Sequence, residues 1–312
     1  MGLSPMDGVT DLAMRMITLE ESGVAVDLMM TEFVNVEGLI KGAAKLWREL
    51  WTNEVEGGRI VAQLYGLEPK NFKMVAERIA SGELGEFSGI DLNMGCPARA
   101  VALNGAGAGL IRDRGRAKEI FEAVKEGVAG RLAVSIKTRL GYEAVDHGWS
   151  EWILGELEPA ALSLHGRTFR QGYSGVADWS AIGEVVKMAR EMKSETVILG
   201  NGDVRNRAEA KGKCAEFGVD GVLIGRAAMG DPWVFREKSG NEVDIGRRAR
   251  AALKHARLYE KIYGEGERYN FLPMRKHLAW YIKGVEDAKD LRVKLCQTNS
   301  SEEVAEILRE YL

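Results

Sequence analysis

Eight short apolar runs, each followed by an amphipathic stretch, constrain this chain more than any other feature. The runs cover residues 1–3, 26–31, 60–64, 89–93, 133–138, 161–165, 196–201 and 221–225. Between them, residues 11–21, 38–46, 69–81, 116–128, 147–155, 178–192 and 205–217 follow helical periodicity, and a short helix is expected after Pro232. Eight strands alternating with helices predict an α/β fold, a (β/α)8 TIM barrel. A doubly wound open sheet is the competing architecture. It usually opens on a glycine-rich dinucleotide turn, and Ser4-Pro5-Met6-Asp7-Gly8 is not one.

The pattern changes at the polar stretch 239–244. Beyond it, residues 247–263, 272–284, 288–297 and 302–312 read as helices. Leu253, Ala256, Tyr259 and Ile262 recur at helical spacing and are expected in a core rather than at a binding stripe. The boundary is placed so that residues 1–241 form the barrel and residues 242–312 a small C-terminal helical domain. With 312 residues the chain is long enough for both.

Charge separates the two parts. The whole chain carries a net charge of −3, which speaks against a uniformly basic nucleic-acid binder. Residues 236–294 nevertheless hold 15 Lys and Arg against 9 Asp and Glu. That excess is either a local basic patch or a solvated helical surface. No apolar run is long enough for a membrane span, and no basic region followed by an apolar core marks a secretion signal. The short first strand leaves room for a missing start. Cys96, Cys214 and Cys296 lie far apart, without disulfide or metal spacing, and the four histidines are scattered. A reducing, cytoplasmic setting and no metal are expected.

In a barrel, reacting groups come from the C-terminal ends of several strands. Here those ends carry Pro5 and Met6, Glu32, Gln63, Asn93 with Cys96, Lys137, His165, Asn201 with Asp203, and Gly225 with Arg226. Loops are polar in any case, but Lys137 and His165 each end a strongly apolar run. The last two strands end in Gly200-Asn201-Gly202-Asp203 and Gly225-Arg226, where small residues let backbone N–H groups approach an anion and Arg226 adds a fork of donors. A phosphate-bearing cofactor suits that end of the barrel. Lys137 is then either a cation beside the N1–O2 edge of a flavin or a Schiff-base lysine. The second reading leaves Cys96 and the Pro-Met entry without a role.

Cys96 sits in Ile90-Asp91-Leu92-Asn93-Met94-Gly95-Cys96-Pro97, at a strand's end. Buried cysteines are often inert, but the Gly-Cys-Pro turn beside Asn93 favours a chemical role. Gly105-Ala106-Gly107-Ala108-Gly109 lacks dinucleotide spacing and is read as a compact loop behind Cys96. Cys214 and Cys296 fall in helical patterns and are taken as structural.

The stretch from Asp91 to Cys96-Pro97, through Val101 to Gly107-Ala108, resembles the signature of the tRNA-dihydrouridine synthases. The resemblance extends to Ser4-Pro5-Met6-Asp7-Gly8, Thr31-Glu32-Phe33, Gln63, Ser135-Ile136-Lys137-Thr138-Arg139, His165-Gly166-Arg167-Thr168, Gln171-Gly172-Tyr173 and Asp178-Trp179. It continues through Asn201-Gly202-Asp203 and Ile224-Gly225-Arg226 to Asp231-Pro232-Trp233, and into the helical part at Met274-Arg275-Lys276-His277. It implies an FMN barrel in which NADPH reduces the flavin and the flavin reduces the C5–C6 bond of a uridine in tRNA. It implies Cys96 as general acid. It implies Ser4, Pro5, Met6, Gln63, Lys137, His165, Asn201, Gly202, Asp203, Gly225 and Arg226 around FMN. Asn93, Arg167 and Tyr173 would face the extruded uridine and nearby RNA, and Arg275 and Lys276 the phosphate backbone. No obligate protein partner is implied. Two alternatives stay open: a flavin barrel acting on a free small pyrimidine, and an RNA-binding protein without catalysis.

Overall fold

The computed structural model describes residues 1–265, 269–285 and 288–312. Eight parallel strands close into a barrel in sequence order: β1 Gly2–Leu3, β2 Leu28–Asn35, β3 Ile60–Tyr65, β4 Gly89–Met94, β5 Ala133–Arg139, β6 Ala161–His165, β7 Val197–Asn201 and β8 Gly221–Ile224. β8 pairs back onto β1, Gly2 opposite Leu223 and Leu3 opposite Ile224, so no edge is left open. The helices around it are α1 Leu12–Ser22, α2 Val36–Ile40, α3 Ala44–Glu49, α4 Pro69–Ala80, α5 Arg99–Leu103, α6 Arg114–Val128, α7 His147–Trp152, α8 Trp179–Glu191 and α9 Arg207–Phe217. Four helices follow: α10 Ile245–Tyr263, α11 Leu272–Tyr281, α12 Lys289–Leu295 and α13 Ser301–Leu308.

Local chemistry starts and stops these helices. Asp11, Asp113, Asp146, Asp178, Asn206, Asp244 and Ser300 each accept a backbone N–H at the first turn that follows. Such a cap contributes about 1 kcal/mol. α4 instead begins with Pro69, whose fixed φ suits the first helical position. α9 ends at Gly218 in the left-handed region, φ 70°.

Strand alternation divides the barrel into two faces. Met29, Ile60, Ile90, Leu92, Ile136, Leu162, Leu164, Val222 and Ile224 pack outward beneath the helices in one large apolar core. Met30, Val61 and Leu223, with Leu28 and Leu199, form a small separate cluster on the opposite face, which plugs the barrel interior. Towards the C-terminal ends of the strands the same face turns polar: Gln63, Asp91, Ser135 and Ser163, then Asn93, Lys137, His165 and Asn201. The pairs Gln63 with Asp91, Asp91 with Ser135, Asn93 with Lys137, and His165 with Asn201 set these residues side by side.

A second apolar core binds α10–α13 to one another and takes in Ala13 of α1 and Trp233. Leu253, Ala256 and Tyr259 are buried there, as their spacing predicts, and Ile262 packs at the edge. Polar contacts reinforce the junction. Trp233 and Arg247 both donate to Glu21, the latter at 2.9 Å, Lys254 pairs with Glu20, and the Leu12 N–H donates to Tyr263 at 3.1 Å.

Some sequence expectations need correction. The expected helix over 38–46 is two, because Gly42 adopts φ 81° between α2 and α3. β2 runs four residues past its expected end, so Glu32 lies within a strand; a register shift between Met30 and Phe33 interrupts the alternation that would have marked it. The segment after Pro232 forms turns rather than a helix. Cys214 is half-buried in α9, whereas Cys296 is exposed at the end of α12. Within the basic stretch, residues 266–268 and 286–287 lie outside the described residues.

Candidate active site

The C-terminal end of β4 delivers Cys96 on a tight turn held from several sides. Asn93 Oδ1 accepts the N–H of Gly95 at 3.1 Å and of Cys96 at 2.8 Å. Arg139 Nε donates to the Gly95 carbonyl at 2.7 Å, and the Cys96 carbonyl accepts the Ala108 N–H at 3.3 Å. Gly107 backs the thiol: its φ is +56°, and a Cβ there would lie 2.9 Å from Cys96 Cβ, so the glycine-rich loop does allow close packing. Cys96 is 6% exposed. Burial pushes the thiol above its ordinary value, Asp7 adds to this, and the Ala98 N–H, Arg139 and Lys137 oppose it. A neutral thiol at pH 7 has a proton to give.

At the same mouth, four cations surround one neutral imidazole. Burial first, then the charges of Lys137, Arg139, Arg167 and Arg226, press His165 down to about 2. It remains uncharged across the physiological range and can offer both a ring N–H and a lone pair. Lys137 donates to Asn201 Oδ1 at 3.3 Å. Burial, then Arg139, brings its ammonium down to about 8, with Asp91 and Cys96 acting the other way. Asn201 in turn donates to the Leu223 carbonyl at 2.8 Å, tying β7 to β8.

The last two loops form the outer rim. Asp203 Oδ2 accepts Arg167 Nη2 at 2.6 Å and the Ala177 N–H at 2.8 Å, while Oδ1 accepts Arg226 Nη2 at 2.8 Å. Burial would raise this carboxyl, but the Arg167 and Ala177 hydrogen bonds and both guanidinium charges hold it below the usual range. Gly202 and Gly225 pack closely beside it: a Cβ at Gly202 would collide with Ala177 at 2.7 Å, and one at Gly225 would face Ser4 at 3.5 Å and Met6 Sδ at 3.6 Å. Ser4 is tied to the last strand by its N–H, which donates to the Ile224 carbonyl at 2.8 Å. The Tyr173 ring, 62% exposed, stands 5.9 Å from the Arg139 guanidinium and 5.5 Å from that of Arg226.

The barrel residues predicted from the sequence are thus gathered at one mouth, but four are committed otherwise than expected. Asn93, expected to face the uridine, spends its Oδ1 on the Cys96 turn and its Nδ2 on Gln63. Gln63 is fully buried, its amide held by Asp91 and Asn93. Arg167, 2% exposed, donates to Ser174 at 3.1 Å, Gly175 at 2.7 Å and Asp203, so it pins the 171–175 loop from beneath. Asp203 faces cations. In the helical part, Arg275 donates to Thr298 at 2.8 Å and Asn299 at 2.7 Å and holds that turn. Lys276 instead reaches the barrel: its Nζ lies 2.9 Å from where a Gly8 Cβ would stand, and its charge acts on Asp11. Arg139 and Asp91 were not among the residues expected to act. Their spacing, two positions from Lys137 and from Asn93 on the same strands, is the signal that identifies both. Among the described residues, no group of three or more His, Cys, Asp or Glu is placed to hold a metal ion, and no helix is long and apolar enough to cross a membrane.

Comparison with known proteins agrees with this geometry. The barrel is similar to that of morphinone reductase, with a TM-score of 0.51 at 15% identity over 75% of this chain and 85% of that one, a likeness of fold alone. In sequence, the chain is 35% identical to a probable tRNA-dihydrouridine synthase 2 of Bacillus subtilis strain 168, over 99% of this chain and 93% of that protein. It is 34% identical to a probable tRNA-dihydrouridine synthase of Staphylococcus epidermidis strain RP62A, over 98% and 91%. A family model described as dihydrouridine synthase matches residues 2–312, and the chain belongs to that family.

Proposed function

We propose that this protein is an FMN-dependent, NADPH-driven tRNA-dihydrouridine synthase, reducing the C5–C6 bond of a uridine in tRNA with Cys96 as general acid. The observation that carries the reading is the gathering, at one barrel mouth, of the Cys96 turn capped by Asn93 and braced by Arg139 with Lys137, His165, Arg167 and Arg226. The residues fit a flavin phosphate: the turns at Gly202 and Gly225 offer backbone N–H groups, and Arg226, held by Asp203, adds a guanidinium fork at the end of the barrel where phosphates bind. Ser4, Pro5, Met6, Asn201, Gly202 and Gly225 would line the cofactor. Lys137 and His165 would face its polar edge, Gln63 would support it from below, and Asp203 would aim Arg226. A flavin held there supplies the two-electron reduction of the pyrimidine ring.

The chain's own residues complete the chemistry. Reduction at C6 leaves negative charge at C5 and O4. The neutral Cys96 thiol gives its proton to C5, and the resulting thiolate is stabilised by Lys137 and Arg139. Asn93 positions the turn that carries the thiol, and Arg139 joins that turn to the loop bearing Tyr173. The exposed Tyr173 ring would stack beside the extruded base or its neighbours. The division of labour is proposed to fall near residue 242, with α10–α13 binding RNA through Lys276 and the turn held by Arg275. Acting on tRNA, the protein would work in the cytoplasm.

The test is direct. Purified protein should be yellow with bound FMN. With NADPH and an unmodified tRNA transcript it should form dihydrouridine. Equal turnover of free uracil or orotate would favour the small-pyrimidine reading instead, and a colourless protein that binds tRNA without turnover would end the enzymatic one.

A further inference from the structure

The Asn93 side chain has two ends, and only one of them can cap the Cys96 turn. Its Oδ1 accepts the N–H groups of Gly95 and Cys96, while its Nδ2 donates to Gln63 Oε1 at 3.0 Å. Gln63 in turn donates from Nε2 to Asp91 Oδ2 at 2.7 Å, and Asp91 Oδ1 accepts Ser135 Oγ at 2.6 Å. Asp91, Gln63 and Ser135 sit in one layer of the barrel interior, set by the register Gln63–Asp91–Ser135, beneath the layer that holds Asn93 and Lys137. Asp91 and Gln63 are both fully buried.

An amide is directional, whereas a carboxylate only accepts. Asp91 therefore obliges Gln63 to present its amino group downward and its carbonyl upward. An upward carbonyl obliges Asn93 to donate to it, and Asn93 then has its own carbonyl free for the Cys96 turn. The sense of every bond follows from the first. Burial holds the Asp91 carboxyl up at about 6, against the Ser135 and Gln63 hydrogen bonds and the Lys137 charge, and both of its oxygens accept, Oδ1 from Ser135 Oγ and Oδ2 from Gln63 Nε2. The nearest alternative partner of the Gln63 amino group is the Met30 sulfur at 3.9 Å, a weak acceptor. Without Asp91, Gln63 loses its anchor and both amides can turn over.

We propose that Asp91 is a positioning residue for the proton-transfer step, acting through Gln63 and Asn93 to keep the Cys96 thiol aimed at the substrate. This rests on the reading of Cys96 as the proton donor. What the position must supply is an acceptor facing Gln63, not a negative charge. Asp91→Asn can still supply it, with its amide carbonyl towards Gln63 and its amino group towards Ser135 Oγ, which can accept. Asp91→Leu, of similar shape, cannot.

The experiment follows single-turnover oxidation of the prereduced holoenzyme by tRNA, normalised to bound FMN, alongside flavin reduction by NADPH and thermal melting. Asp91→Leu is expected to slow oxidation by tRNA roughly tenfold, within the range over which a positioned proton donor contributes. Its NADPH rate should stay close to wild type, whereas its melting temperature should fall, because Ser135 and Gln63 lose a buried acceptor. Asp91→Asn is expected to remain within threefold of wild type. A wild-type rate in Asp91→Leu overturns the proposal. So does equal slowing in both variants, which would assign Asp91 an effect through its charge on Lys137. If Asp91→Leu does not fold, Gln63→Met breaks the same chain one link nearer Cys96, and a wild-type rate there is equally fatal. Cys96→Ala serves as the reference: if it too oxidises at the wild-type rate, the general-acid reading fails rather than the relay.

Discussion

Arg226 donates from Nη2 to Asp203 Oδ1 at 2.8 Å, so a carboxylate aims the guanidinium along the rim of the barrel mouth. The same carboxylate takes Arg167 from the other side, which makes Asp203 the hinge between the last two strands and the loop bearing Tyr173. Arg226→Ala should lose a charged anchor at the phosphate and raise the FMN dissociation constant by about tenfold or more, a charged hydrogen bond contributing roughly 1.5–3 kcal/mol. Equilibrium dialysis of the flavin measures it. An unchanged constant would remove Arg226 from the cofactor site.

Lys276 is the cation that α11 sends to the mouth, beside Gly8. If it also meets a tRNA phosphate, Lys276→Ala should weaken tRNA binding and reduce the slope of log affinity against log salt by roughly 0.7–0.9. A variant with the wild-type slope would place the RNA path elsewhere. Arg275→Ala should in addition lower the melting temperature, because its guanidinium holds the Thr298–Asn299 turn.

The barrel and the identity of its mouth residues were legible because both rest on period. Apolar runs at regular intervals predict the strands, and the polar residue closing each run points to the mouth. The side on which each group spends its hydrogen bonds was not legible. Arg167 and Arg226 look alike in sequence, yet one is buried under a loop and the other stands half-exposed on the rim. That difference comes from the carbonyls of Ser174 and Gly175 folding back over Arg167, a tertiary event without local signal. Glu32 was misplaced for a related reason: the irregularity after Met30 hides the true end of β2.

Glu32 lends itself to a test by pH. Burial, then the charges of Asp11, Glu49 and Asp7, hold its carboxyl up at about 8, against an ordinary value of 4.5. Between those values the folded protein keeps a proton that the unfolded chain releases, so stability falls as pH rises from about 4.5 to 8. Glu32→Gln keeps the neutral shape. It should melt above wild type at pH 8.5 by at least about 2–4 °C, the equivalent of ~1 kcal/mol, and show little difference at pH 4.5. A gap that does not grow with pH would show that Glu32 is ionised in the folded state.

The histidines of the helical part predict the opposite slope. Both nitrogens of His277 are buried without a partner among the described residues, its ring 4.8 Å from that of His255. Burial, then His255 and Lys276, hold His277 well below 6.5, and burial holds His255 at about 3. Both stay neutral in the fold, so stability is lost as pH falls from about 6.5 towards 3, where only the unfolded chain takes up protons. His277→Leu should shallow that acid limb and raise the melting temperature more at pH 5 than at pH 8. Parallel wild-type and variant curves would contradict it.

The most direct measurement is single-turnover oxidation of reduced flavin by tRNA in wild type and Cys96→Ala. A thiol that attacked C6 would occupy the atom that must be reduced, whereas a thiol that protonates C5 does not. The variant should therefore bind FMN and accept electrons from NADPH as wild type does, yet oxidise its flavin with tRNA roughly 100-fold more slowly. A variant that oxidises its flavin at the wild-type rate and forms dihydrouridine would contradict the assignment of Cys96 as the proton donor.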